Sequence, residues 1–133
     1  MMLVDTSAWV EFDRATGSVV DKTLTGLIRD GGRNVVVTEP VLMEVLAGAT
    51  TAGRRQDLRR LLTSFEWQPV DPVADFEGAA KVYRSCREAG VTPRGLIDCM
   101  IASIAMRVGL KLLTADQDFS AMSRVLPLKV FTI

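Results

Sequence analysis

Apolar and polar positions along this chain switch repeatedly between two periods. Residues 2–5 (MLVD) form a short apolar run closed by an acid, the pattern of a first buried strand. Residues 8–14 and 18–30 follow a helical period. In the second stretch Val20, Leu24, Leu27 and Ile28 fall at i, i+4, i+7 and i+8, and Gly31 and Gly32 end it. Asn34–Val37 is a β-branched run and predicts a second strand. Thr38 then caps a helix with Pro40 in its first turn and VLMEVLAGA along it. Residues 53–65 carry a further helical stripe through Leu58, Leu61, Leu62 and Phe65, and Glu66–Val70 predicts a third strand. Asp71-Pro72 opens a long helix with Phe76, Ala80 and Tyr83 on one face and Gly90 at its end. Pro93 to Gly109 predicts another helix, whose segment LIDCMIASIAM has a single charge. Lys111–Thr114 predicts a fourth strand, a short helix runs from Phe119 through Leu126, and Lys129–Phe131 predicts a fifth strand.

Strands alternating with helices imply an α/β fold with a central parallel sheet of four or five strands and helices on both faces. In such sheets a site forms at the carboxyl ends of the strands, near a switch in strand order. There is no repeat, linker or low-complexity tract, and 133 residues fit one domain, 1–133. With 48% apolar residues the chain can bury a core without disulfides or a structural metal. No apolar run approaches the roughly 20 residues that span a bilayer, so no membrane role is expected. The start MMLVDTSAW has no basic n-region or cleavage pattern. Cys86 and Cys99 lie in helical patterns without a CxxC partner, as buried thiols of a reducing compartment do. A cytoplasmic location is expected.

Charge and composition then narrow the chemistry. Sixteen basic residues balance sixteen acidic ones, so any polyanion site is a local patch or relies on bound metal. The chain has no histidine. That removes His-dependent acid–base catalysis, Ser-His-Asp and Cys-His nucleophiles, and the usual zinc sites. Carboxylates, hydroxyls, lysines, a cofactor or a hard metal remain.

Four carboxylates stand in unusual places. Asp5 ends the first strand and Asp116 follows the fourth, so both fall on the carboxyl edge of a parallel sheet. Asp98 interrupts the most apolar helix, among Leu96, Ile97, Met100 and Ile101, and Glu44 interrupts another between Met43 and Val45. Each also has a plain structural explanation. Asp5 can cap the helix that follows, Asp98 can complement a helix dipole, and Glu44 can pair with an arginine. Asp118 is the better N-cap for the helix at Phe119, which leaves Asp116 without a structural task. Together the four are harder to explain, because two acids 5 Å apart repel by about 3 kcal/mol at an effective dielectric of 20. A divalent cation neutralises such a cluster, and an all-oxygen donor set suits Mg²⁺ or Mn²⁺. Such an ion activates water and stabilises charge on a phosphoryl oxygen, which suits phosphodiester hydrolysis. Thr6, Ser7 and Thr114 flank the acids, placed to hold metal waters or a phosphate, or simply to serve as turn and cap residues.

The segments LVDTSAW, EPVLMEVLAG, GLIDCMIASIAMRVG and LLTADQDF, in that order, resemble the PIN-domain family, and more closely the VapC-type toxins of bacterial toxin–antitoxin pairs. The resemblance covers essentially the whole chain. It implies a PIN fold and a Mg²⁺- or Mn²⁺-dependent endoribonuclease that blocks translation, held in check by a small cognate antitoxin, and usually dimeric. It also implies roles: Asp5 and Asp98 as metal ligands, Asp116 completing or bridging the ion cluster, and Glu44 orienting or deprotonating the attacking water. Asp118 matches a more peripheral acid of the family. The antitoxin groove is expected near Trp9, Phe12 and Leu27, residues that core packing explains equally well.

Two basic regions are candidates for contact with RNA. The segment GRRQDLRR holds Arg54, Arg55, Arg59 and Arg60 and is equally a solvated helix face. Arg94, four residues before Asp98, is the better single candidate for gripping a scissile phosphate. A phosphatase with a D-x-D nucleophile fits less well, because Ser7 occupies the second position and Asp98 goes unexplained. A non-catalytic binding module gains nothing from four mutually repelling acids.

Overall fold

The structure, a computed structural model, describes residues 1–131. Three short apolar runs become the interior of a parallel sheet: β1 (Met2–Val4), β2 (Val35–Val37) and β4 (Lys111–Leu113). Leu3, Val4, Val35, Val37, Leu112 and Leu113 are completely shielded from solvent. Strands covered on both faces read as continuous apolar runs instead of alternating ones. The fourth partner, β3 (Glu66–Trp67), is a two-residue edge. Its predicted extension to Val70 stops because Pro69 has no backbone N–H for the ladder, whose last bond here runs from the Gln68 N–H to the Val37 carbonyl at 2.8 Å. The predicted fifth strand shrinks to a single parallel bridge, Leu112 to Val130, beside β4.

The helices in chain order are α1 (Thr6–Asp13), α2 (Val19–Arg29), α3 (Glu39–Gly48), α4 (Ala52–Leu62), α5 (Pro72–Glu88), α6 (Leu96–Val108) and α7 (Gln117–Ser123). Strand order is β3-β2-β1-β4, all neighbours parallel. The chain steps outward from β1 to β3 and then crosses back to lay β4 on the other side of β1. The order therefore reverses between β1 and β4, where a crevice opens at the carboxyl ends of an open parallel sheet.

Local chemistry fixes the elements that border this crevice. The helix predicted from residue 8 starts at Thr6, because the Asp5 carboxylate accepts the Ala8 N–H at 3.0 Å and caps the first turn. Thr38 holds the N-cap position of α3 in an extended conformation, but its hydroxyl makes no capping bond. Gly95 is extended at the N-cap of α6, so that helix starts at Leu96 and leaves Arg94 in the preceding loop. Gly109 ends α6 with φ at 71°, a left-handed conformation that a side chain disfavours. At the far end, the buried Asp75 of α5 receives Arg107 of α6 through two bonds of 2.9 and 2.7 Å. This ion pair fixes how the helix carrying Asp98 lies against α5.

Candidate active site

Each acid reaches the crevice on a different element. Asp5 comes from the end of β1, Glu44 from the middle of α3, Asp98 from the first turn of α6, and Asp116 from the turn after β4. These four, with Thr6, Ser7, Arg94 and Gly95, line one open cleft of about 440 Å³. All eight residues singled out from the sequence fall in or beside it, Thr114 lying beneath as a hydrogen-bond donor to Asp5.

Asp5 is the innermost acid, 3% exposed. One carboxylate oxygen accepts the Ser7 hydroxyl at 2.8 Å and the Ala8 N–H; the other accepts the Thr114 hydroxyl at 2.8 Å. Burial pushes its pKa up to about 6 despite these three bonds, with Asp116 adding a smaller push in the same direction. Ser7 and Thr114 extend the network, since the Ala115 N–H donates to Ser7 and the Asp116 N–H to Thr114. The hydroxyl protons of both residues thus point at Asp5. Thr6 donates to a Glu44 oxygen at 2.6 Å. Among the described residues no arginine pairs with Glu44, although the sequence allowed one; its partner is Thr6.

Asp98 is half-buried and also pushed up to about 6, first by burial and then by the charges of Asp116, Glu44, Asp5 and Asp118. Its surroundings are a negative well. Carboxylate oxygens of Asp98, Asp116 and Asp118 lie within 4.8 Å of one another.

After β4 the capping role expected of Asp118 falls to Asp116, which lines the acid cleft as well. Asp116, not Asp118, is the N-cap of α7: it accepts the Asp118 N–H at 2.9 Å, because the helix begins at Gln117, two residues earlier than predicted. Asp118 borders the adjoining cleft and brings a carboxylate oxygen close to those of Asp98 and Asp116. The signal was the spacing D-x-D at a strand end, which sets two carboxylates beside each other at the rim of the site. Arg94 bridges both, its Nε to Asp118 and its Nη2 to Asp116, each at 2.8 Å. Elsewhere Arg54 of the basic segment pairs with Asp13 and Arg60 stands near Asp57. Trp9 is core: it is 1% exposed and packs on Phe12 and Phe65.

The donor set is entirely oxygen, the charges are unbalanced and the outer acids are within chelating distance. It fits a hard divalent ion such as Mg²⁺ or Mn²⁺ and lacks the nitrogen and sulfur donors that zinc sites usually include.

A parallel sheet with this acid-lined crevice defines a class, and the PIN domain model matches residues 2–125. The chain belongs to the PIN-domain family. Among curated proteins it is similar to ribonuclease VapC11 of Mycobacterium tuberculosis, 39% identical over 125 residues that cover 94% of this chain and 93% of that relative. Among solved structures it is similar in fold to VapBC2 from Rickettsia felis bound to a promoter DNA fragment. That likeness has a TM-score of 0.74 and 16% identity, covering 98% and 96% of the two chains. It is also similar to VapC20 of Mycobacterium tuberculosis, a sarcin-ricin loop cleaving toxin, with a TM-score of 0.67 and 19% identity over 97% and 99%.

Proposed function

We propose that this protein is a divalent-metal-dependent endoribonuclease, the toxin of a toxin–antitoxin pair, which stops translation by cutting RNA. The observation that carries this is the convergence of four carboxylates from four separate elements on one cleft in a chain without histidine. Identity of 39% to a named VapC ribonuclease over nearly the whole chain supports the substrate class.

Asp98 and Asp116, with Asp5 and Asp118 beside them, would hold the ion. When bound, Mg²⁺ or Mn²⁺ supplies an acidified water and positive charge against a phosphoryl oxygen. Ser7 and Thr114 keep Asp5 oriented, and Thr6 ties down one oxygen of Glu44, leaving the other to take a proton from the attacking water. Thr6, Ser7 and Thr114 thus serve substrate through the acids they hold. Arg94 is the residue that meets the scissile phosphate.

An antitoxin segment would occupy the neighbouring cavity of about 460 Å³ between α1, α3 and α4, lined by Trp9, Val45 and Leu58 but not by the Phe12 and Leu27 expected from sequence, and sharing Glu44 with the catalytic cleft. A segment seated there blocks the cleft from one end. Val73 and Phe76, exposed on α5, support a homodimer. The two buried free thiols suit a reducing cytoplasm, and no helix among the described residues is long and apolar enough to cross a membrane.

The test is cleavage of total cellular RNA by purified protein. Cutting is expected with Mg²⁺ or Mn²⁺ and lost with EDTA or in Asp5→Asn, which keeps an oxygen to cap α1. Metal-independent cutting, or cutting that survives the substitution, overturns the mechanism. A silent protein across a broad RNA panel points to a binding module.

A further inference from the structure

Two cations have a claim on the same carboxylate oxygens. The Arg94 guanidinium forks onto Asp116 and Asp118 through two charge-assisted bonds of 2.8 Å. Those two acids, with Asp98, form the group whose oxygens lie within 4.8 Å of one another. A Mg²⁺-sized ion binds carboxylate oxygen at about 2.1 Å. Sharing these oxygens with it would set the guanidinium beside a doubly charged neighbour, and like charges at that distance repel strongly.

Burial does not hold Arg94 in place. Its side chain is 73% exposed and sits on the loop between α5 and α6, held at its charged end by these two acids. It lines both the acid cleft and a second cleft of about 770 Å³ that runs from Asp116 and Asp118 past Ser7 and Val10 to Glu11. An exposed side chain of this length can swing towards Glu11 at the far end of the second cleft without any change in the backbone. A structural explanation accounts less well for the pair. An exposed arginine adds little to stability, and α7 is already capped by Asp116 without it.

We propose that Arg94 is an internal competitor of the divalent ion: metal loading expels the guanidinium from Asp116 and Asp118 and frees it for the substrate phosphate. The inference rests on the metal-dependent reading of this cleft and adds a coupling to it. Full occupation of the outer acids by metal and availability of the phosphate-binding arginine become one exchange. Metal affinity is lower than the bare acid cluster would give, because the ion must displace a cation already in place.

Isothermal titration calorimetry of the whole protein with Mn²⁺ tests this without reference to activity. Arg94→Gln is expected to bind Mn²⁺ about tenfold more tightly than the unaltered chain, the loss of two exposed charge-assisted contacts setting that scale. Arg94→Lys, which keeps the charge but not the fork, is expected to fall between them. In a Mg²⁺ titration followed by ¹H–¹⁵N spectra, the arginine Nε–Hε signal missing from Arg94→Gln is expected to shift on metal binding. Equal or weaker Mn²⁺ binding by Arg94→Gln overturns the exchange, as does an Arg94 signal that ignores Mg²⁺. Binding that still disappears in Asp98→Asn would then leave the metal site itself standing. Failure of every form to bind Mn²⁺ removes the metal reading and the exchange with it.

Discussion

Asp98 illustrates at the scale of one residue how a site opposes the fold that carries it. Its pKa lies near 6 against an ordinary 3.8, because burial and four neighbouring acids disfavour the ionised form. The sign follows from linkage. Between about pH 4 and 6 the folded chain holds a proton that the unfolded chain has lost, so stability in the absence of metal falls as pH rises through that window. Asp5, also raised to about 6, acts in the same direction. Asp98→Asn should therefore stabilise the protein in EDTA at pH 7.5 by about 1 kcal/mol, a value reduced for partial solvent screening. Thermal melts should show the gain shrinking towards pH 4, while RNA cleavage is lost; a lower melting temperature at pH 7.5 would refute the reasoning. The four acids were legible in sequence because strand ends and apolar helices make a carboxylate conspicuous. The division of labour between Asp116 and Asp118 was not, since either member of D-x-D can cap and only the starting residue of α7 decides. Nor was the fork from Arg94, which depends on the course of a loop.

At the scale of elements, long-period patterns were legible and ends were not. The seven helices among the described residues lie within two or three residues of where apolar spacing puts them, and the all-β-branched run of β2 needed only its neighbours. Ends shifted where one side chain or backbone group decided: the Asp5 cap advanced α1, Pro69 cut β3 short, and Gly95 delayed α6. Close approach of two helices leaves a weaker trace in sequence. At the contact of α5 with α6, a Cβ on Gly78 would lie 2.1 Å from Ser103 Oγ and 3.1 Å from its Cβ. Gly78→Ala gains about 1 kcal/mol of helix propensity, but overpacking costs about 1–3 kcal/mol and should win. Denaturant melts should show a net loss for the single variant and recovery of most of it with Ser103→Ala. An unchanged midpoint in the single variant would mean that the Ser103 hydroxyl turns aside at no cost. Because α6 presents Asp98, the single variant should also weaken Mn²⁺ binding.

Across the whole molecule, a neutral chain that acts on a polyanion must gather its positive charge locally. Sixteen basic and sixteen acidic residues leave no net attraction for RNA, and the cleft sets four acids against Arg94. Part of the basic segment on α4 is committed elsewhere, with Arg54 paired to Asp13 and Arg60 near Asp57. The cleft thus offers phosphates little beyond Arg94 and a bound ion, which amounts to about two or three neutralised phosphates. Single-stranded nucleic acid loses affinity with a log–log salt slope of about −0.7 per phosphate contact, so the slope here should be about −1.4 to −2. Glu44→Gln is the form to measure, because it retains the metal ligands while losing the proposed base. Fluorescence anisotropy with a labelled single-stranded RNA, in rising KCl at fixed Mg²⁺, gives the slope directly. A value steeper than about −4 would require an extended basic track, and α4 with Arg55 and Arg59 would then carry RNA along its outer face. A shallow slope that collapses when Mg²⁺ is withdrawn would identify the metal as the principal source of affinity for phosphate. Specificity for one RNA would then depend on how a substrate's shape fits the walls of the cleft.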